Sequence, residues 1–351
     1  QMCIRDSIME AKRHRINMAL REHVVEEGFG PSAHRQTIEN LDLHGHPGGA
    51  RRGSPSSWAQ GLDVKVAPAD SAPVLLFAGC GVSGESDAAS VVRKLSLLMS
   101  RAGVDFAILG DSEECCGLPA YWTGHRDVFT NIATDRAQRF DDLGVETIVT
   151  ASGSCLGAMR SKYPEYARGP RAQVVHATEF LARLIDEGKL PLPRPLGRKV
   201  TYHDPCYLGR QSEPPLAWEG RYRTTHGCMT YTDPPREVNR GTRGVFDPPR
   251  NILRAIRDLD FVEMDRIREY SFCCGGGGGR IWMETPKGER FSDLRVEQAI
   301  DAEGLAGGDD VAGPPEVDRE DLLALGGGAD PVELEQRGGV KDRRAALGGL
   351  L

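Results

Sequence analysis

Along residues 74–302 the hydrophobic positions alternate between two patterns. Short unbroken apolar runs occur at VLLFAG (74–79), DFAILG (105–110), ETIVTA (146–151) and AQVVHA (172–177). Runs of this length predict buried strands. Between them, apolar residues recur at three- and four-residue spacing. Ala88–Arg101 places Val91, Val92, Leu95, Leu98 and Met99 in this way, and Asp127–Leu143 and TEFLARLIDEG, closed by Gly188, follow the same rule. These stretches predict helices. A second cycle opens at KVTYH (199–203). It continues through a helix at 247–256 whose early prolines suit a first turn, a strand at 260–264 and a helix at 291–302. Strand, helix, strand at this rhythm predicts an α/β fold with two pseudo-repeated units, each a short parallel sheet flanked by helices.

Outside these cycles the pattern weakens. Residues 8–27 have helix-forming composition, whereas Gly28–Pro73 is rich in Gly, Pro, Ser and His and reads as an extended connector wrapped over a surface. Residues 211–244 interrupt the second cycle. DPPREVNR (233–240) nearly copies DPPRNILR (247–254), so this stretch reads as a poorly ordered surface insertion or local duplication. The expected organisation is therefore 1–73, N-terminal helix and connector; 74–190, first unit; 191–305, second unit with its insertion; and 306–351, a disordered or aberrant tail rich in Gly, Ala, Asp and Arg.

Composition narrows the function. The 351 residues carry a net charge of −7, and no basic stripe is interleaved with aromatics, which argues against nucleic acid as a partner. No run of eighteen apolar residues exists, and the start QMCIRDSIMEAKRHR has no apolar signal core. A cytoplasmic chain is expected, and there clustered cysteines more often serve metal or redox chemistry than structural disulfides.

Of nine cysteines, seven fall at repeated places: Cys80, Cys115, Cys116, Cys155, Cys206, Cys273 and Cys274. Each cycle runs from a strand into a cysteine (FAGC, YHDPC) and then reaches a CCG triplet. Any one of these could be a buried small hydrophobe, but packing alone does not place two CCG triplets alike. Adjacent cysteines do not bond to each other without distortion. Zinc favours paired C-x-x-C knuckles, which neither repeat has, whereas an iron–sulfur cluster offers several irons to neighbouring thiolates. Glycine beside such thiolates lets backbone N–H groups approach sulfur with no Cβ in the way, which marks Gly117, Gly275, Gly276 and Gly277 as cofactor-contacting candidates.

Other polar residues read as follows. Glu113 and Glu114, beside Cys115, are expected to face solvent, because like charge would oppose a thiolate. His203 and Asp204 read as a packed histidine and a capping aspartate, with a proton relay as the alternative. His176 reads as structural. Arg280 either neutralises cluster charge or lies on the surface, and Trp282 and Met283 pack near the glycine run.

These residues resemble a known group. FAGC (77–80), ILGDSEECCGLP (108–119), VVHATEFLARLIDEGKL (174–190), VTYHDPCYLGR (200–210) and FCCGGGGGRIWMETPKGERFSDLRVEQA (272–299) are similar to the heterodisulfide-reductase-related iron–sulfur proteins of the D/B type with two CCG domains. Residues 8–27 and ENLDLHGHPGGA (39–50) resemble the segment that follows a ferredoxin-like domain in longer members. The resemblance implies a 4Fe–4S cluster, cubane or non-cubane, held by thiolates, with all seven cysteines as metal ligands. It also implies electron transfer from a flavoprotein or ferredoxin-like donor to a disulfide or quinone-linked acceptor. Partners would include a membrane quinone-linked subunit or a missing N-terminal domain, with the chain peripheral to the inner membrane face. The alternatives are a non-catalytic assembly subunit of a dehydrogenase and a zinc or thiol protein. Two departures stand out. Ser152 occupies a position where the family has cysteine, and the second repeat has no terminal C-x-x-C, leaving Cys206, Cys273 and Cys274 with Cys228 as a remote fourth. Cys3 matches nothing in the family.

Overall fold

A computed structural model of the chain describes residues 13–49, 56–82, 87–192, 194–227, 229–235, 237, 240–286 and 289–303. Cys3, Cys228 and the tail beyond Glu303 lie outside them.

Five strands form an all-parallel sheet: β1 (Lys65–Val66), β2 (Val74–Phe77), β3 (Phe106–Ile108), β4 (Thr147–Thr150) and β5 (Gln173–His176), in spatial order β1-β3-β2-β4-β5. Parallel neighbours require crossover connections, and helices supply them. The apolar runs are continuous because both sheet faces are covered. Leu75 and Phe77 face one core with Ala107, Ile148 and Val174, while Leu76 faces the other with Ile108, Val149 and Val175. On the first face lies α5 (Arg126–Asp142), with Phe129, Ala133, Ala137 and Phe140 buried. The rings of Phe77 and Phe140 meet edge to face at 5.9 Å. On the second face lie α3 (Asp87–Arg101), through Val92, Leu95 and Met99, and α8 (Ala177–Asp186), through Phe180 and Leu184. Leu75, Leu76 and Phe77 are wholly buried, and each such side chain contributes about 1.5–3 kcal/mol.

The connector is more ordered than its composition suggests. Helices α1 (Arg13–Glu26) and α2 (Ser32–His44) pack on α4 (Leu118–Thr123), and β1 adds an edge strand to the main sheet. Gly45, at φ 66°, ends α2 by donating its N–H to the carbonyl of Leu41. The insertion is ordered in part as well. Strands β7 (Arg221–Thr225) and β8 (Met229–Asp233) pair antiparallel as a hairpin.

The second unit is smaller. β6 (Arg198–Thr201) and β9 (Leu259–Val262) pair in parallel, with α9 (Asp247–Ala255) packed against α8 and α10 (Phe291–Glu303) against β6. Its polar centre is Arg250, which is fully buried. Its guanidinium makes two 2.7 Å bonds to Asp204 and two to Glu263 at 2.7 and 3.0 Å. Asp204 also accepts the backbone N–H of Arg268 at 2.7 Å. His203 instead accepts from Arg295 Nε at 2.8 Å. The two neighbours thus belong to separate networks. His203 is packed as expected, whereas Asp204 is the buried ion-pair partner of Arg250 and not a helix cap.

His176 caps α8. The Thr178 N–H donates to its Nδ1 at 3.2 Å, so Nε2 holds the proton and donates to the carbonyl of Ala151 at 3.1 Å. Burial lowers its pKa to about 4. At neutral pH both folded and unfolded chains hold the ring neutral. Below about pH 6.5 the unfolded chain gains a proton that the folded one refuses, so stability falls until about pH 4. His176→Asn keeps a capping side chain. We expect it to remove about 3 kcal/mol of acid-induced loss over that window, read as the difference between the two urea-unfolding profiles against pH.

Candidate metal centre

The C-terminal ends of β2, β3 and β4 lie side by side, which is where parallel sheets place their sites. After β2 the chain turns through Gly79, at φ 85°, and enters one 3-10 turn at Cys80–Val82. After β3, a 3-10 turn at Gly110–Ser112 leads to Cys115 and Cys116, both buried. After β4, Ser152 caps the short helix α6 (Gly153–Gly157), accepting the N–H of Cys155 at 3.2 Å. Ser152 therefore orients the cysteine beside it.

Three elements thus deliver four thiols to one place. Cys115 Sγ lies 3.6 Å from Cys80 Sγ. Cys116 is hydrogen-bonded to Cys115 on one side and Cys155 on the other. The order of contact is 80–115–116–155. Contact with both neighbours holds the Cys116 pKa well below that of an ordinary thiol. Cys115 and Cys155 are pushed up by contact with Cys116 and by burial, and Cys115 donates its S–H to Cys80.

Gly79 shows how closely this centre is packed. A Cβ there would stand 3.0 Å from Cys155 Sγ. The other glycine of the first set, Gly117, has φ 80° and a Cβ site 2.8 Å from Ile132. Close approach to α5 and a positive φ both require glycine there.

Glu113 overturns its expectation. It is buried, and its carboxylate accepts the N–H of Gly79 at 2.6 Å and of Ala78 at 3.2 Å. Desolvation raises its pKa to about 7, against the pull of those two N–H groups. Glu114, half-buried, pairs with Arg136 instead. Two residues of the former connector join them. The Gly45 carbonyl accepts the N–H of Cys115 at 2.8 Å, and His46 Nε2 meets the Cys80 carbonyl at 2.5 Å. We expect Glu113→Ala, which orphans two buried amides, to cost about 1–3 kcal/mol and to raise alkylation of Cys80. Glu113→Gln, which keeps one acceptor, should lose less of both.

The remaining thiols form a second, looser set. Cys206 follows β6 and is pushed up by burial, with Cys273 nearby adding to the shift. Cys273 is exposed and lowered to about 6, mainly by its bond from Cys274. Gly275 N–H donates to Cys273 Sγ at 3.3 Å, and the Gly276 backbone bonds Cys274. No atom lies within 4 Å of a Cβ placed at Gly277. Arg210 braces the preceding turn through the carbonyls of Glu269 (2.9 Å) and Ser271 (2.7 Å). Arg280 is exposed and bonds Thr285, so it lies on the surface. Trp282 packs against His34 and Trp122, while Met283 stands 43% exposed.

The two sets share a core. A Cβ at Gly153 or Gly157, on the helix behind Cys155, would meet Leu208 at 3.0 Å or Tyr207 at 2.6 Å, just past Cys206.

Among the described residues, no group of three or more His, Cys, Asp or Glu is arranged to hold a single metal ion. Four thiols brought together, none of them in a disulfide, fit a polynuclear iron–sulfur group, whose irons present several vertices to separate sulfurs.

Comparison with known proteins agrees with that chemistry. The cysteine-rich (CCG) domain family matches residues 74–160 and 226–311. The chain belongs to the two-CCG-domain iron–sulfur proteins. It is 30% identical over 293 residues to the EtfAB:quinone oxidoreductase of Syntrophomonas wolfei, which covers 80% of this chain and 36% of that protein. Identity is also 30% to the probable iron-sulfur-binding oxidoreductase FadF of Bacillus subtilis (79% of this chain, 36% of that one). It is 30% to the D-type component of the dihydromethanophenazine:CoB–CoM heterodisulfide reductase of Methanosarcina acetivorans (81% and 62%). The chain therefore spans between about a third and two thirds of these relatives' lengths. No solved structure matches it. The first CCG match contains the set 80–115–116–155, whereas the second begins downstream of Cys206. Among the described residues no helix is long and apolar enough to cross a membrane.

Proposed function

We propose that the chain is the iron–sulfur electron-transfer subunit of a heterodisulfide-reductase-like oxidoreductase. It relays electrons from a flavoprotein or ferredoxin-like donor to a disulfide or quinone-linked acceptor. The observation that carries this reading is the set of four thiols, Cys80, Cys115, Cys116 and Cys155, delivered by three strand ends to one place, three of them buried. In this reading those four residues hold a cluster, and Cys206, Cys273 and Cys274 form a second, incomplete set. An iron–sulfur group supplies one-electron transfer when bound.

The chain's own residues do the rest. Contact with Cys115 and Cys155 lowers the Cys116 pKa and so favours its thiolate. Glu113 holds the amides before Cys80 in place. Burial keeps water from Cys115, Cys116 and Cys155, and low dielectric strengthens the N–H–sulfur interactions there. The donor would be a partner protein, with the chain cytoplasmic and peripheral to the membrane through a partner. The proposed units are 74–190 and 191–305, with the N-terminal helices joining them.

A second reading, a non-catalytic assembly subunit, is favoured by the three-thiol count of the second set. Anaerobic purification tests both. Equal amounts of iron and acid-labile sulfide are expected. The visible absorption should bleach with dithionite and return on adding a water-soluble quinone or an organic disulfide. Stoichiometric zinc would overturn the proposal. A metal-free chain bound to a dehydrogenase would replace it with the second reading.

A further inference from the structure

The glycine run after Cys274 is held in part by its own turn, where Ile281 and Arg280 donate their N–H groups to the carbonyls of Gly276 (3.1 Å) and Gly277 (3.4 Å), and in part from outside its unit. Gly278 (φ 67°) offers its carbonyl to Arg21 Nη1 at 2.7 Å, and Gly279 (φ 84°) offers its own to His34 Nε2 at 2.9 Å. The acceptor in the second case is a carbonyl, so His34 donates. The same Nη1 of Arg21 also donates to the carbonyl of Trp122, in α4 of the first unit. Trp122 and His34 both pack on Trp282, at ring distances of 6.0 and 6.4 Å. Trp122 in turn donates its Nε1–H to Tyr207 at 2.7 Å. Space is tight throughout. A Cβ at Gly124 would stand 2.7 Å from the Arg21 backbone, and one at Gly279 would stand 2.9 Å from His34 Nε2.

We infer that Arg21 and His34 are positioning residues for the Cys273–Cys274 pair, clamping its glycine loop to the first unit. Arg21 bonds a carbonyl six residues past Cys116 on one side and four past Cys274 on the other. One guanidinium therefore helps set the separation of the two thiol sets. Those turn bonds alone do not fix five glycines, because each is free to occupy both signs of φ. The N-terminal helices supply the missing constraint. The significance for electron relay rests on reading the thiols as cluster ligands, but the clamp itself does not.

The test uses the full-length, metal-free chain and iodoacetamide, with the modified cysteines located by mass spectrometry. Its failure is therefore separable from failure to bind iron. In Arg21→Ala and in His34→Phe, which keeps a ring but loses the N–H, alkylation of the half-buried Cys274 should rise by about fivefold or more. In His34→Gln, which keeps a donor, the rise should be much smaller. Cys80, Cys115, Cys116 and Cys155 should react as slowly as in the parent protein. An unchanged rate at Cys274, or an equal increase in the first set, would overturn the inference. So would a His34→Gln variant as reactive as His34→Phe, since packing alone would then hold the loop.

Discussion

Cys116→Ser is expected to strip the chain of most of its iron after anaerobic reconstitution. The reason lies in its place among the sulfurs. Cys116 touches Cys115 on one side and Cys155 on the other, and this contact holds its pKa well below that of an ordinary thiol. Serine's hydroxyl is a poor anionic ligand, because its proton is far harder to remove than a thiol's. The substitution removes the sulfur that joins Cys115 to Cys155. Cys273→Ser is the matched control. That residue is exposed and belongs to a set of three, so its loss should leave most of the iron in place. Iron and sulfide analysis of both variants, normalised to protein, reads the difference. A chain that keeps its iron without Cys116 and loses it without Cys273 would move the principal centre to the second unit. Folding should be checked by circular dichroism, because Cys116 also lies in the core.

Much of this centre is legible in the sequence because repetition is informative. A strand running into a cysteine and a later CCG occur twice, and the structure places Cys80, Cys115, Cys116 and Cys155 together. The strands are legible for another reason. With both faces covered, β2, β4 and β5 cannot afford polar residues in their middles.

Features set by tertiary contact are not legible in this way. Helix α2 buries only Thr37 and Leu41, so it shows little apolar stripe, and packing against α4 rather than pattern gives it its place. Both residues of β1 are exposed, so nothing in their hydropathy marks a sheet edge. The alternation in RYRTT and MTYTD is a strand signal of β-branched and aromatic residues, hidden among the prolines and glycines around it. Glu113 reads as a surface charge in any local pattern. It is buried because the turn at Gly110–Ser112 swings it beneath the amides of Ala78 and Gly79. Arg21 and His34 lie about 245 residues or more from the loop they hold, beyond the reach of local pattern.

Arg250→Met should destabilise the protein by about 3–5 kcal/mol, the cost of stranding a buried charge. Asp204 is 2% exposed, and in the parent protein two guanidinium bonds and the Arg268 amide satisfy it. Without the arginine, Asp204 keeps one amide, and Glu263 loses both of its bonds from Arg250. Arg250→Lys should recover only part of the loss, because an ammonium cannot meet two carboxylates with paired bonds. The sign of the pH dependence separates this account from loss of packing. In Arg250→Met the folded state would resist ionising Asp204, so its carboxyl would bind protons more tightly folded than unfolded. The penalty is then full above the ordinary carboxylate pKa of about 4 and shrinks on acidification. A packing defect alone would be pH-independent. Adding Asp204→Leu to Arg250→Met should restore part of the stability, since a buried pair replaced on both sides costs less than one left half-broken. Urea unfolding of the three variants between pH 4 and 7.5 distinguishes these outcomes, and a double variant no more stable than Arg250→Met would remove the buried charge as the cause.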